Sequence, residues 1–240
     1  MARSYGALPD TRSKLIKVFL VAGLPLFWLV SILLSQLDAS TFYDLNAEDG
    51  PIENLQVLVL LAACLVSGAI LWNLLRQNQR GWAFFYALVC LGLFFLAGEE
   101  ISWGQRIFGA ATPDWFLQYN QQREISVHNL RVITNVMQRS ADVVAVLLVI
   151  ISAASVRIRP ATRERWCAGL WMPPPIFIPA WLCFASYRGA RIYHAISHLT
   201  KRVPPILSRL QEPAELILYI GALAFVVMVL MQVRRVPKSA

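Results

Sequence analysis

Charged residues are scarce in this sequence, and their scarcity excludes an ordinary soluble domain. Only 15% of the 240 residues are Asp, Glu, Lys or Arg, whereas 57% are hydrophobic. A soluble chain of this length would need a largely polar surface. Internal repeats and low-complexity segments are absent as well. The composition therefore predicts that lipid surrounds most of the protein.

Cysteine pairs with the spacing of metal or redox sites are also lacking. The four cysteines form no CxxC motif. Cys64, Cys90 and Cys183 lie inside apolar runs, and Cys167 lies in a basic loop. This pattern is typical of reduced packing residues, so it predicts neither a disulfide framework nor a cysteine metal cluster.

A cleavage site is missing after the first apolar run. Basic residues precede the run, which extends from Val18 to Leu34 and is longer than the core of a typical signal peptide. The SQLD that follows lacks a small-x-small pattern. The run is therefore predicted to be an uncleaved first membrane span.

Long apolar runs are what the chain has in abundance. A helix needs about 20 apolar residues to cross the hydrocarbon core, because each residue advances it by about 1.5 Å. Six segments meet or approach this length, at residues 18–37, 54–75, 81–97, 138–157, 169–187 and 214–232. We predict an all-α polytopic membrane helix bundle that forms one integral membrane domain over residues 1–240.

Two of the six segments are irregular. The apolar run of the fourth, residues 141–156, is short, so its helix is expected to begin earlier and to carry Gln138, Arg139 and Asp142 into the outer leaflet. The fifth contains four prolines, and its first turns are not expected to be regular helix. Those prolines are Pro173, Pro174, Pro175 and Pro179.

Basic residues are distributed unevenly between alternate loops. With the N-terminus inside, the inner segments hold 13 of the 22 Lys and Arg but only 2 of the 14 Asp and Glu. The positive-inside rule then places both termini on the cytoplasmic side of the membrane. The net charge of +8 reflects this topology and does not indicate nucleic acid. Nearly all residues that could do chemistry fall together on the outer face.

Two outer segments are long enough to have their own structure. TPDWFL, from Thr112, resembles a capped helix start with proline in its first turn. From Arg188 to Leu210, apolar residues recur at helical spacing opposite arginines and histidines. This second pattern predicts an amphipathic helix on the outer membrane surface.

The densest polar group is GEEISWGQR, residues 98–106, where the third span reaches the outer interface. On a continuing helix, one face would carry Glu99, Ser102, Trp103 and Arg106. Adjacent carboxylates beside an apolar run make Glu99 and Glu100 candidates for general acid/base catalysis, with Arg106 as a catalytic partner. Trp103 and Gln105 are candidates for substrate binding. The alternative is an interfacial anchor, with tryptophan among the headgroups and the charges in water.

Acidic residues also stand at the starts of spans two and six. Glu53 follows Pro51, so it is either a catalytic residue or a helix-capping charge, and the sequence favours neither. Glu212 and Glu215 flank Pro213 in the same way. Glu215 is the stronger candidate for function, because it is expected to lie below the interface.

The three histidines all fall in outer segments. His194 and His198 are four residues apart, so one helix face could present both to a zinc ion, with His128 as the third ligand and water as the fourth. The alternative is a basic surface that includes Arg188 and Arg191 and binds anionic or phosphate-bearing lipids.

Two resemblances accompany these motifs. GEEISWGQR and the later VHNL resemble a family of uncharacterised bacterial inner-membrane proteins over about residues 45–130. This resemblance implies a site at these residues but no activity. The HxxxH pair with membrane carboxylates is faintly similar to the superfamily of alkaline ceramidases and adiponectin receptors, which are seven-span lipid-amide hydrolases with a three-histidine zinc. That similarity implies His194 and His198 as paired ligands and His128 as the lone one, although Glu124 replaces the superfamily's serine.

These features lead to one functional hypothesis and its alternatives. The first is a membrane-embedded enzyme that acts at the outer face on a lipid or lipid-linked substrate, with a metal-dependent hydrolase as the specific candidate. Asn129, beside His128, joins the substrate-binding candidates. The alternatives are a non-enzymatic carrier, a receptor, or an assembly subunit of a cell-envelope complex.

Overall fold

The computed structural model describes residues 14–47, 50–105, 107–165, 167–197, 207 and 209–235, and this part of the chain is helical without β-strands. The helices are α1 (Lys14–Val18), α2 (Leu24–Leu37), α3 (Ala39–Leu45), α4 (Pro51–Arg76), α5 (Arg80–Glu100), α6 (Asp114–Tyr119), α7 (Arg131–Ala154), α8 (Pro160–Arg165), α9 (Ile178–Ser197) and α10 (Gln211–Arg235). A π-helical segment, Phe19–Gly23, joins α1 to α2.

Six helical stretches are long and apolar enough to cross a membrane, which confirms the predicted all-α, multi-pass architecture. They are Lys14–Leu37, Pro51–Arg76, Arg80–Glu100, Arg131–Ala154, Ala168–His194 and Gln211–Arg235. The fourth begins at Arg131, ahead of its apolar run as predicted, but seven residues before the predicted start at residue 138. The prolines of the fifth span break its start into 3₁₀ turns at Ala168–Leu170 and Pro175–Phe177, also as predicted.

Two predictions about local structure need correction. Helix α5 ends at Glu100, because Ser102 and Trp103 adopt positive φ angles of 45° and 54°. Glu99, Ser102 and Trp103 therefore do not share the single helical face that was proposed, and its fourth member, Arg106, lies outside the described residues. The amphipathic helix predicted from Arg188 to Leu210 does not start as a separate element, because residues 188–197 continue α9 from the fifth span, and residues 198–206 and 208 of the prediction lie outside the described residues. The predicted short helix near Thr112 does form, as α6, although no side chain caps it.

The spans are arranged as an arc. Helix α5 packs against α4, α4 against α10, α10 against α9, and α9 against α7. The first span packs against α9 and α10. Both α5 and α7 are described over their full lengths, and they form no packed pair with each other. Residues 101–130 connect these two ends of the arc along the chain.

Candidate functional site

A cavity of about 610 Å³ lies where α5 ends and α7 begins. We call it the Glu99 cavity. It is lined by residues from α4, α5, α7, α9 and α10 and from the 101–130 segment. Eight of the residues singled out from the sequence as site candidates line it, namely Glu53, Glu99, Glu100, His128, Asn129, Arg188, Glu212 and Glu215. Motifs that are far apart in the sequence therefore meet in one place.

Glu99 connects α5 to the segment that precedes α7. Its Oε2 accepts the backbone N–H groups of Val127 and His128, each at 2.7 Å, and lies 3.1 Å from Nδ1 of His128. Its Oε1 accepts the indole N–H of Trp103 at 2.6 Å. Glu99 is only 3% exposed, so these bonds replace the water that the carboxylate would otherwise bind. The carboxylate both orders the loop and orients the imidazole.

The sharp turn after α5 makes this arrangement possible. The indole of Trp103 lies so close to Gly98 that a Cβ atom there would meet the ring at 2.9 Å. Positive φ angles at Ser102 and Trp103 turn the chain back, which brings the indole N–H to a carboxylate only four residues earlier. Trp103 and Gln105 do not line the cavity but support it, since Gln105 accepts the N–H of Ile125 at 2.7 Å.

His128 is a titratable base that a carboxylate holds in place. Burial alone would lower the pKa of His128, but the hydrogen bond to Glu99 and the negative charges of Glu100, Glu99 and Glu124 raise the pKa above its usual value. When the imidazole is neutral, a proton on Nδ1 serves the bond to Glu99. Nε2 then remains as the basic nitrogen. This is the pairing by which enzymes orient a histidine base.

Three further carboxylates converge beside this pair. Glu100, Glu212 and Glu215 offer oxygen atoms that all lie within 4.8 Å of one another. We call them the acidic triad. Tyr219 donates to Glu100 at 2.9 Å, and the amide of Gln56 donates to Glu212 at 3.2 Å. Like charges this close repel, so protons or a cation must neutralise the triad.

The arginines of the site already have partners. Arg188 is buried and donates to Asp142 and to the carbonyl of Gln138, both at 2.6 Å. Arg191 donates to the side chains of Tyr187 and Gln211 at 3.2 and 3.3 Å. Arg188 therefore balances a charge on α7, and Arg191 braces the start of α10. Neither forms the exposed basic stripe expected on a surface helix.

The zinc site predicted from the three histidines stays a prediction. His128 lines the cavity with Glu99 as its neighbour, whereas His194 is not among the lining residues. His198 and the catalytic candidate Arg106 lie outside the described residues. In the described part of the chain, the acidic triad is the one group of three potential metal ligands that comes together.

Some site residues were not anticipated. Ser102 donates to Glu124 at 2.5 Å, and both line the cavity. Tyr219 could have been found, because Glu212, Glu215 and Tyr219 share one face of a helix at positions i, i+3 and i+7. The bond from Gln56 to Glu212 could not have been found, since 156 residues separate its partners.

Comparison with protein-family models, with curated proteins and with solved structures found no match to this chain. The chemistry of the site therefore rests on its own geometry.

Proposed function

We propose that this protein is a membrane-embedded enzyme that acts at the outer face on a lipid or lipid-linked substrate by general acid/base catalysis. One observation carries the proposal: the paired Glu99 and His128 line a cavity set among membrane spans, beside three more carboxylates. An oriented histidine and an excess of acids in one cavity are the parts that hydrolases and transferases use to move protons.

Each residue then has a defined role in the reaction. His128 takes a proton from an attacking water in a hydrolase, or from an acceptor hydroxyl in a transferase. Glu99 fixes the ring and stabilises the imidazolium that forms. A carboxyl of the acidic triad that carries a proton gives it to the leaving group as the bond to that group breaks. The proton that His128 gained then passes to the triad carboxylate, which returns both groups to their starting protonation states.

A non-enzymatic carrier is the second candidate, and the acidic triad favours it. Three neighbouring carboxylates at the end of membrane spans could bind and release protons or cations. A carrier, however, has no need of an imidazole oriented by a carboxylate. The two functions therefore differ in their dependence on His128.

Product formation distinguishes the two functions. Wild-type protein in nanodiscs of bacterial polar lipid extract is compared by lipid mass spectrometry with His128→Gln and with the control Glu164→Gln, whose side chain is exposed at the opposite end of the bundle. We expect wild type and control to form the same product, and His128→Gln to lose at least about 10²-fold in rate. Wild-type turnover by His128→Gln would rule out the proposed base. A wild type without product would favour the carrier.

The same assay addresses the predicted zinc. If activity disappears with a chelator and returns with Zn²⁺, the histidine site gains support. Activity that is indifferent to the chelator would assign the reaction to the carboxylates and His128 alone.

A further inference from the structure

The Glu99 cavity is bounded by an incomplete ring of helices. The sequence of packed helices runs from α5 through α4, α10 and α9 to α7, and in this described part of the bundle α5 and α7 form no packed pair. Residues from both of these helices nevertheless line the cavity. Among the described residues, the cavity therefore has a side that no closely packed helix pair closes, which we call the α5–α7 opening.

This opening extends into the depth of the membrane. The lining face of α7 runs from Thr134 to Val144, a distance of about 15 Å along the helix axis. Val144 lines the cavity and is still 42% exposed, and Met137 is 37% exposed. Exposed side chains that line the cavity within a membrane span offer an apolar face that an acyl chain could contact.

The walls of the cavity change from polar to apolar along this depth. Glu99, His128 and the acidic triad lie at the end where α5 stops, whereas Leu96, Val144 and Phe184 line it further into the spans. A molecule that suits both regions must be amphipathic, with a polar headgroup and a hydrocarbon chain. A membrane lipid has this shape and is present at the opening.

The charge of the lining selects the headgroup. Six carboxylates line the cavity, against two arginines and one histidine. One of those arginines, Arg188, already pairs with Asp142 at 2.6 Å. The second, Arg209, donates to the carbonyl of Asn46 at 3.0 Å. An excess of negative charge favours a cationic headgroup and disfavours an anionic one.

We infer that an ammonium-bearing membrane lipid reaches the cavity sideways through the α5–α7 opening, with its headgroup at the acidic triad and an acyl chain against α7. The inference rests on the proposed function and adds to it the class of lipid and its route. It departs from the anionic lipid expected of an exposed basic stripe, because Arg188 is buried against Asp142 and Arg191 donates to Tyr187 and Gln211.

Photo-crosslinking tests the route. The full chain in nanodiscs receives phosphatidylethanolamine with a diazirine in its acyl chain, and cross-linked peptides are mapped by mass spectrometry. We expect labels concentrated on the cavity face of α7 and on the end of α5. Ala141→Trp and Val144→Trp, which place bulk on that face, should reduce this labelling by about tenfold. The control is Val146→Trp. Val146 lies on the same helix, is 56% exposed and does not line the cavity, so this variant should be cross-linked to the same extent as the wild type.

A second cross-linking experiment tests the headgroup. A phosphatidylglycerol probe with the same chain should label the cavity face about tenfold less, and Glu212→Gln with Glu215→Gln should remove that difference. Labels spread evenly over all lipid-facing helices, or unchanged by both tryptophans at positions 141 and 144, would overturn the route. Equal labelling by the two probes would overturn the ammonium lipid.

A last variant separates this inference from the proposed function. His128→Gln should lose turnover and keep the labelling pattern, because it changes the base and leaves the opening intact. If His128→Gln stays active while labelling is as expected, the proposed enzyme mechanism fails and the route stands. If turnover depends on His128 but the cavity face is not labelled, the lateral route fails alone.

Discussion

At the scale of single residues, Glu99 is the centre of the site. Sequence reasoning selected it for its position beside an apolar run, and the structure places it in the cavity with His128. Its partners were not predictable, because the bond to Trp103 depends on positive φ angles that the sequence does not signal at those positions. His128 was selected as a zinc ligand, whereas the structure shows it against a carboxylate. The residue types therefore identified members of the site, but which of them pair with each other depends on the turn that follows α5.

Replacing Glu99 should change the pH dependence of the reaction. The pKa of His128 is raised in the folded protein by Glu99, Glu100 and Glu124 against the effect of burial, and a general base works only when neutral. Wild-type activity is therefore expected to rise as the pH increases through this raised pKa. Glu99→Gln removes one negative charge, so this rise should move to lower pH while the maximal rate falls by about 10²-fold.

Stability should show the opposite trend with pH. A raised pKa means that protonated His128 stabilises the fold below the usual pKa of histidine, and that this contribution is lost as the pH rises through the folded value. The thermal unfolding midpoint in detergent should therefore fall as the pH rises through the folded pKa of His128. The fall should be smaller in Glu99→Gln than in the wild type. An unchanged activity profile in the variant would remove Glu99 as the group that tunes the base.

A second residue-scale prediction concerns the glycine under the indole. A Cβ at position 98 would lie 2.9 Å from the ring of Trp103, and a rigid ring cannot yield without moving its bond to Glu99. Gly98→Ala should cost about 1 to 3 kcal/mol of stability and reduce activity. Gly92→Ala is the matched control. Gly92 lies on the same helix, and a Cβ added there would meet no neighbouring atom within 4 Å apart from the helix's own backbone. Equal unfolding midpoints for the two variants would contradict the packing argument.

At the scale of helices, apolar length predicted the spans well and their ends poorly. Hydrophobicity marks the hydrocarbon core, whereas a helix ends where its backbone groups find other partners. Helix α9 shows the difference. Arg188 looked like the start of a surface helix, yet it lies inside the bundle because Asp142, 46 residues earlier, neutralises it. A charge inside a span is visible in a sequence, but its distant partner is not.

The pairing of α7 with α9 should depend on this ion pair. Arg188→Met leaves Asp142 without its cation, and Asp142→Asn leaves a buried arginine without its anion, so each should cost about 2 to 4 kcal/mol. The side chain of Asp142 remains 26% exposed, which places the cost near the lower end. The double variant should recover part of the loss. Arg139→Met, an exposed arginine on the same helix, serves as the control in unfolding titrations. Additive losses in the double variant would show that the two charges are not coupled.

At the scale of the whole molecule, the decisive feature is which helices are not neighbours. Composition predicts the number of spans, but the packing of α4 against α10 and the absence of a closely packed α5–α7 pair depend on contacts between segments that are distant in the sequence. The cavity is a consequence of that arrangement. The clustering of acids on one face was nevertheless visible from the charge pattern, because alternate loops must lie on alternate sides.

The sidedness of the cavity is the final prediction. Basic residues concentrate on the loops at the end of the bundle opposite the cavity, so the positive-inside rule places the cavity toward the outside. In a variant without native cysteines, Asp114→Cys should react with a membrane-impermeant maleimide in intact bacterial spheroplasts. Glu164→Cys should react only after permeabilisation. Both positions are exposed and lie at opposite ends of the spans, so each controls for the other. The reverse pattern would place the carboxylates at the cytoplasmic leaflet, and the substrate lipid would then have to come from that leaflet through the same opening.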